Sequence, residues 1–282
     1  MTVSHETPEK VLTDIRKIRQ KVFETVSESN KRLTYGEVEK RLSQKFAVHK
    51  KALKIAINEL VADRQLIYTY NLGCSFLEKS FNKPTRISKR VVLKPTGMSY
   101  TPESDDVVID IAQGASFGSG EHPTTRLAVG AIEAALSGKN NFVKTDHTRV
   151  LDIGTGSGIL AIAAVSLGVK KALAIDIDPC SRSEAKQNIL LNNMDHRIQV
   201  LDRDIEQINE KFFLITANLR YPTLVRLCSH ISKITERPGR VVVSGIKTHE
   251  VKDILNSYTR KGFSCTWKAV EKDWVGMVFV KV

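Results

Sequence analysis

Cysteine is scarce in this chain: Cys74, Cys180, Cys228 and Cys265 are the four present, and no two form a CxxC pair. Such spacing argues against a disulfide framework or a thiol redox centre and reads as a reduced protein with incidental thiols. The seven histidines include no HExxH and join no Cys/His cluster, so no metal site is expected. No apolar run approaches the ~20 residues that a membrane helix requires. Residues 1–9 are polar and lack the apolar core of an export signal, which gives a cytoplasmic location as the expectation.

Negative charge is also in short supply. Asp and Glu number 31 against 43 Lys and Arg, a formal net charge of +12. The deficit is uneven: residues 1–90 hold 19 basic and 10 acidic side chains, whereas residues 91–282 hold 24 and 21. An apolar content of 41% suffices for packed cores in 282 residues. Together these features imply two domains with different partners, at residues 1–85 and 86–282.

In the first domain, residues 9–27 place Val11, Leu12, Ile15, Ile18, Val22, Phe23 and Val26 three or four apart, the period of an amphipathic helix. Thr34-Tyr35-Gly36-Glu37 has the form of a capping box that opens a second helix to about residue 46. Helical spacing returns over residues 49–62, and residues 66–70 and 74–77 read as a hairpin. Three helices and a hairpin resemble a winged helix-turn-helix. Lys50, Lys51 and Lys54, near the start of the third helix, are candidates for phosphate contact, or form a solvated face of a fold that docks a protein. Residues 81–90 are basic, contain a proline and lack periodicity, so they read as the linker.

In the second domain a strand is expected over residues 107–111, then a glycine-rich segment, then a helix through Leu127, Ile132 and Leu136. Residues 114–118 match the GxSxG nucleophile elbow of hydrolases. The elbow turns directly from strand to helix, however, whereas more loop intervenes here, and no Asp and His follow in an assignable order. From residue 149 onward strands (150–153, 172–177, 198–201, 212–217, 241–244) alternate with helices (159–167, 181–192, 222–234, 249–260). That is the pattern of a doubly wound parallel α/β sheet. Residues 263–270 and 275–282 stand too close together for a crossover, so the last strand must run antiparallel.

The central stretch is Val150-Leu151-Asp152-Ile153-Gly154-Thr155-Gly156-Ser157-Gly158, an apolar strand, an acid and a glycine turn. A dinucleotide fingerprint is GxGxxG, in which a helix N-terminus faces a pyrophosphate. Here the third glycine arrives one residue early. Asp176 follows Asp152 by 24 residues, and Asp204 lies just past the third strand. Three acids after successive strands suit a phosphate-free ligand: Asp152 for an ammonium, Asp176 for a ribose diol, Asp204 for an adenine amino group. S-adenosylmethionine presents those groups. Helix N-capping is the competing role for each acid, most of all for Asp204.

Residues 88–282 resemble the PrmA-like family of bacterial methyltransferases that modify the ribosomal stalk-base protein. The marks are Phe117-Gly-x-Gly-x-His122-Pro-Thr-Thr125, Asp152 to Ala164 with its glycines, Asp176-Ile-Asp178-Pro179, Ala217-Asn218-Leu219, Ser244-Gly245-Ile246 and Trp274-Val275. The resemblance implies a Rossmann-like methyltransferase sheet, S-adenosylmethionine as cofactor, and a protein amine as acceptor. It implies cofactor contacts from Phe117, Thr125, Gly154, Gly156, Asp176 and Asn218, with Asn218 catalytic beside the incoming amine. The chain departs from the family at Ser116, Glu121 and Arg220-Tyr221, and its first domain stands where the family has a different one. Methylation of RNA delivered by the basic domain, and a nucleic-acid-binding regulator that senses the cofactor, remain alternatives.

Overall fold

A computed structural model describes residues 11–12, 14–29, 33–63, 65–71, 74–79, 83–112, 122–137 and 148–281. The chain divides into two compact units between Asn82 and Lys83.

The first unit begins with β1 (Val11–Leu12) and α1 (Ile15–Ser27). The helix starts at Ile15 rather than at residue 9, because Asp14 caps it by accepting from the Arg16 amide at 2.9 Å. Val11 and Leu12 instead pair with β3 (Ala47–Val48). β2 (Leu33–Thr34) leads into α2 (Tyr35–Lys45) through the expected capping box of Thr34 and Glu37. α3 (Lys50–Ala62) is followed by β4 (Leu66–Asn71) and β5 (Cys74–Lys79), which form an antiparallel sheet in the order β2-β5-β4. Ile18, Val22, Val38, Leu42, Leu53, Ile57, Leu60, Leu66 and Leu77 fill one core between the helices and this sheet.

The second unit opens with β6 (Thr85–Arg86), β7 (Val91–Pro95) and β8 (Val107–Ile111). This corrects the linker reading. β6 pairs with β7, Ile87 is buried, and the Lys89 amide donates to Glu133 at 3.0 Å, so residues 83–90 are part of the fold. Then follow α4 (Pro123–Leu136), β9 (Arg149–Ile153), α5 (Ile159–Ser166), β10 (Lys171–Ile175), α6 (Pro179–Leu191), β11 (Ile198–Leu201), β12 (Phe212–Asn218), α7 (Tyr221–Ile234), β13 (Thr235–Lys247), α8 (Val251–Thr259), β14 (Ser264–Glu271) and β15 (Trp274–Lys281). The seven-stranded sheet runs β11-β10-β9-β12-β13-β15-β14. β15 inserts between β13 and β14 and is antiparallel to both, while the remaining pairs are parallel. Antiparallel pairing of β15 was expected from the short turn. Its insertion beside β13 does not follow from the turn: β15 is buried from Val275 to Phe279, whereas β14, with Ser264, Thr266, Lys268 and Glu271, is a largely exposed edge strand.

Alternate strand residues point to opposite faces. Leu151, Ile153, Ile215, Ala217, Val241, Val243, Met277 and Phe279 pack with Leu224, Leu227, Ile231, Ile254 and Tyr258 of α7 and α8. α4 and α5 cover the other face. α5 is buried on every side from Ile159 to Val165, which explains why its sequence has no polar stripe.

Two asparagines on α6, one helical turn apart, join the small sheet to this layer. The Asn192 carboxamide accepts from the Asp110 amide at 2.9 Å and donates to the Asp110 carbonyl at 2.7 Å. Asn188, fully buried, accepts from the Ala112 amide at 2.9 Å and donates to the Ser157 carbonyl at 2.8 Å. Side chains thereby satisfy backbone groups along β8 that a neighbouring strand would otherwise meet. Replacing Asn188 by Leu strands a buried N–H and a buried carbonyl. The expected loss is about 2–4 kcal/mol in urea unfolding of the full chain, and stability equal to wild type would contradict this account.

Candidate functional site

The residues with chemistry collect at the carboxyl ends of β9, β10, β12 and β13, where open α/β sheets place their ligands. The register sets Thr216 beside Asp152 and Ser244 beside Asn218. These four side chains therefore share the face covered by α4 and α5. Ser244 donates to the Thr124 carbonyl at 2.9 Å and so fixes the first turn of α4 against β13.

The glycine turn follows β9 and folds over the end of β10. The Gly154 and Thr155 amides donate to the Ile175 carbonyl at 2.9 and 3.0 Å. Gly154 has φ +68°, and a Cβ there would stand 2.6 Å from the Leu219 side chain. Gly245, at the end of β13, has φ +87°, and its Cβ would meet the Leu219 carbonyl oxygen at 2.3 Å. Leu219 is thus held between two turns that only glycine satisfies. Its amide donates to the Ser244 carbonyl at 3.1 Å, which completes the junction of β12 and β13.

Asp152 is fully buried, and its carboxylate oxygens accept from the Thr155 and Thr216 hydroxyls, each at 2.6 Å. Burial pushes its carboxyl up to about 6, against the pull of those two hydroxyls. Asp176 stands half-buried where its oxygens accept from the Gly156 amide at 2.9 Å and the Asp178 amide at 3.0 Å. A carboxylate has about four lone-pair sites, so each acid keeps capacity for a ligand. Gly156 adopts φ +56°, which aims its amide at Asp176. Asp178 caps α6, accepting from the Cys180 and Ser181 amides, as its Asp-Pro sequence suggested. Asp204 is exposed and caps the 3-10 turn at Ile205–Gln207, accepting from the Glu206 amide at 3.1 Å. The capping role describes its side chain here.

Thr125 is buried, and its hydroxyl oxygen has no hydrogen-bond partner among the described residues. Asn218 is half-buried at the end of β12, its carboxamide oxygen beside Gly245, and no described residue engages that carboxamide in a hydrogen bond. Phe117, with the rest of residues 113–121, lies outside the described residues. A buried hydroxyl and a carboxamide with no hydrogen-bond partner among the described residues, at the sheet end that also holds two carboxylates with spare acceptor sites, fit a ligand bearing an ammonium and a ribose.

Other residues were given no role from the sequence. Ile177, 84% exposed next to Asp176, offers an apolar surface to a flat ring. Its exposure follows from the strand ending at Ile175, two residues before its apolar run ends. Thr155 and Thr216 hold Asp152, and only the register reveals the latter. Arg182 binds the Asp176 carbonyl and the Asp202 carboxylate, each at 2.9 Å, tying together the ends of β10 and β11. At the opposite end of the site the His122 ring meets Trp274 edge-on, 5.3 Å between centroids, and the Lys247 ammonium lies 3.6 Å over the Trp274 ring. Burial lowers the pKa of His122, helped by Arg126, Lys247 and Lys272. Its Nδ1 accepts from the Thr124 amide, so a neutral ring caps α4. An Arg126–Glu271 ion pair fastens α4 to β14. Among the described residues no group of three side chains could hold a metal, and no helix is long and apolar enough to cross a membrane.

The fold and sequence of residues 75–282 are similar to those of known proteins. A ribosomal protein L11 methylase from Lactobacillus delbrueckii subsp. bulgaricus superposes with a TM-score of 0.62 at 30% identity, over 72% of this chain and all of that one. A ribosomal protein L11 methyltransferase from Heliobacterium modesticaldum is 35% identical over 71% of this chain and 61% of its own length. One from Geotalea uraniireducens is 34% identical over 70% and 64%. The chain therefore spans a little over three-fifths of the curated relatives it matches. The family model "Ribosomal protein L11 methyltransferase (PrmA)" matches residues 75–282. With a mostly parallel seven-stranded class I methyltransferase sheet and S-adenosylmethionine as its family's cofactor, the chain belongs to the PrmA family of ribosomal protein L11 methyltransferases.

Proposed function

We propose that this chain transfers a methyl group from S-adenosylmethionine to an amine nitrogen of a ribosomal protein, L11 being the acceptor for which its relatives are named. The observation that carries this reading is the Asn218 carboxamide at the end of β12, which no described residue engages in a hydrogen bond, at the same end of the sheet as the glycine turn. In this reading the second unit, residues 83–282, is the catalytic domain of a cytoplasmic enzyme. The first unit, residues 1–82, is a winged helix-turn-helix-like domain, a reading supported by its three helices and antiparallel sheet.

Bound at this site, S-adenosylmethionine supplies a sulfonium-activated methyl group. Asp176 accepts from the ribose hydroxyls, and Ile177 and Asp204 flank the adenine. Thr125, Gly154, Gly156 and Phe117 line the remainder. Asp152 faces the ammonium, through water or directly, while Thr155 and Thr216 keep its orientation. A lysine amine must arrive neutral, which at pH 7 costs about 4–5 kcal/mol from a pKa near 10.4. A dry pocket lowers that cost by disfavouring the ammonium. The Asn218 oxygen accepts from the amine N–H and turns its lone pair toward the methyl group, so no strong base is required. His122 cannot serve as that base through Nδ1, which Thr124 already occupies.

Three experiments test this. Incubation with methyl-labelled S-adenosylmethionine and a lysate should yield label that protease removes and ribonuclease does not; label surviving protease would refute a protein acceptor. In calorimetry Asp176→Ala should abolish cofactor binding, whereas Asn218→Ala should retain it and lose turnover at least ~10²-fold. Equal loss of binding in both would remove Asn218 from catalysis. Finally, burial has raised Asp152, so its charge, and with it the attraction for an ammonium, is present above about pH 6 and lost as pH falls through that value. Cofactor affinity should therefore weaken below about pH 6, and Asp152→Asn should flatten that dependence. A wild-type profile level from pH 5 to 7 would exclude the contact.

A further inference from the structure

The first unit carries a surface that the methyl-transfer site does not use. On α3, buried Leu53, Ala56, Ile57 and Leu60 face the core, which leaves Lys51, Lys54, Ile55 and Asn58 in one outward stripe. Those four positions are spaced i, i+3, i+4 and i+7, the spacing of a single helix face. The acids near this helix are already committed. Arg19 of α1 binds both Glu59 and Asp63, and Glu39 of α2 binds Lys50 at 2.9 Å. Lys51 and Lys54 have no ion-pair partner among the described residues. Ile55 remains 43% exposed between them, and Tyr68 on β4 is 42% exposed. The unit that carries this helix, residues 1–82, holds 15 basic against 10 acidic side chains.

We infer that the outward face of α3 docks in the major groove of double-stranded DNA, with Lys51 and Lys54 on the phosphates and Ile55 and Asn58 toward the base edges. Charge selects a polyanion, since two ammonium groups with no ion-pair partner among the described residues, on a basic unit, have no complement in a neutral protein surface. The apolar and amide side chains beside the lysines select the groove. A B-form major groove, about 12 Å wide, admits a helix and presents thymine methyls and adenine edges to Ile and Asn. The major groove of duplex RNA is too deep and narrow for a helix to enter. This inference is independent of the methyl acceptor, because it concerns binding by the first unit and not transfer.

The test is fluorescence anisotropy of the full chain with a labelled DNA duplex and an RNA duplex of the same sequence, across a salt series. The expected result is DNA binding in the range of about 1–100 µM at physiological salt, steeply weakened by added salt. Lys51→Ala/Lys54→Ala should weaken binding at least tenfold at low salt and reduce the log–log salt slope by about two. Ile55→Ser should weaken DNA binding without changing that slope. S-adenosylmethionine binding serves as the control for folding and should be unaffected in all variants. Equal or tighter binding to the RNA duplex would overturn the groove assignment. Binding by the lysine double variant as tight as wild type would overturn the surface. Absence of DNA binding, with loss of purified L11 binding in the same variants, would instead assign the face to a protein.

Discussion

The site depends on one contact that tolerates no variation: Leu219 wedged between Gly154 and Gly245. Three strand ends meet there, and a methyl-sized addition on either glycine would collide with Leu219 at 2.6 and 2.3 Å. The close approach is what lets the turn after β9 lie beside the end of β12, so that Asn218 stands next to the loop. Every ligand-facing group is then referenced to the same junction. Asp176 is tied to it through the Gly156 amide, Asp152 through Thr155 and Thr216, and α4 through the Ser244 hydroxyl. A sheet that brings these groups together needs little further machinery, because the reactivity resides in the cofactor and the protein supplies alignment.

Much of this was legible in the sequence, for identifiable reasons. The runs that became β9 to β13 are apolar along their length because both faces of a parallel sheet are covered. The early third glycine and the spacing of Asp152 and Asp176 pointed away from a pyrophosphate. What stayed hidden was whatever depends on tertiary register. Thr216 is 64 residues from Asp152, and Asn188 is 76 and 31 residues from Ala112 and Ser157; hydrogen bonds over such separations leave no periodic mark. The insertion of β15 between β13 and β14 is not set by the turn that joins the last two strands; it buries Val275 to Phe279 and leaves the more polar β14 at the edge. The linker reading failed at residues 83–90 because short strands with few apolar residues look like loop, although Glu133 and β7 hold them in place. The helix start moved from residue 9 to Ile15 because a cap at Asp14 outweighed the apolar spacing upstream of it.

The two units follow different physical rules. In the second, which carries 28 basic against 21 acidic side chains over residues 83–282, buried polar groups collect at the strand ends. In the first, the acids near α3 are neutralised by Arg19 and Lys50, and Lys51 and Lys54 stand exposed. The family relationship, which covers residues 75–282, accounts for the first of these patterns and not for the second.

The claim at the centre of this account is that the strand-end site is built for a phosphate-free sulfonium cofactor. Calorimetric titration of the full chain with S-adenosylmethionine and, separately, with a nicotinamide dinucleotide tests it most directly. The account predicts saturable one-to-one binding of S-adenosylmethionine, lost in Asp176→Ala, and no heat of binding from the dinucleotide. Binding of the dinucleotide in place of S-adenosylmethionine would contradict it.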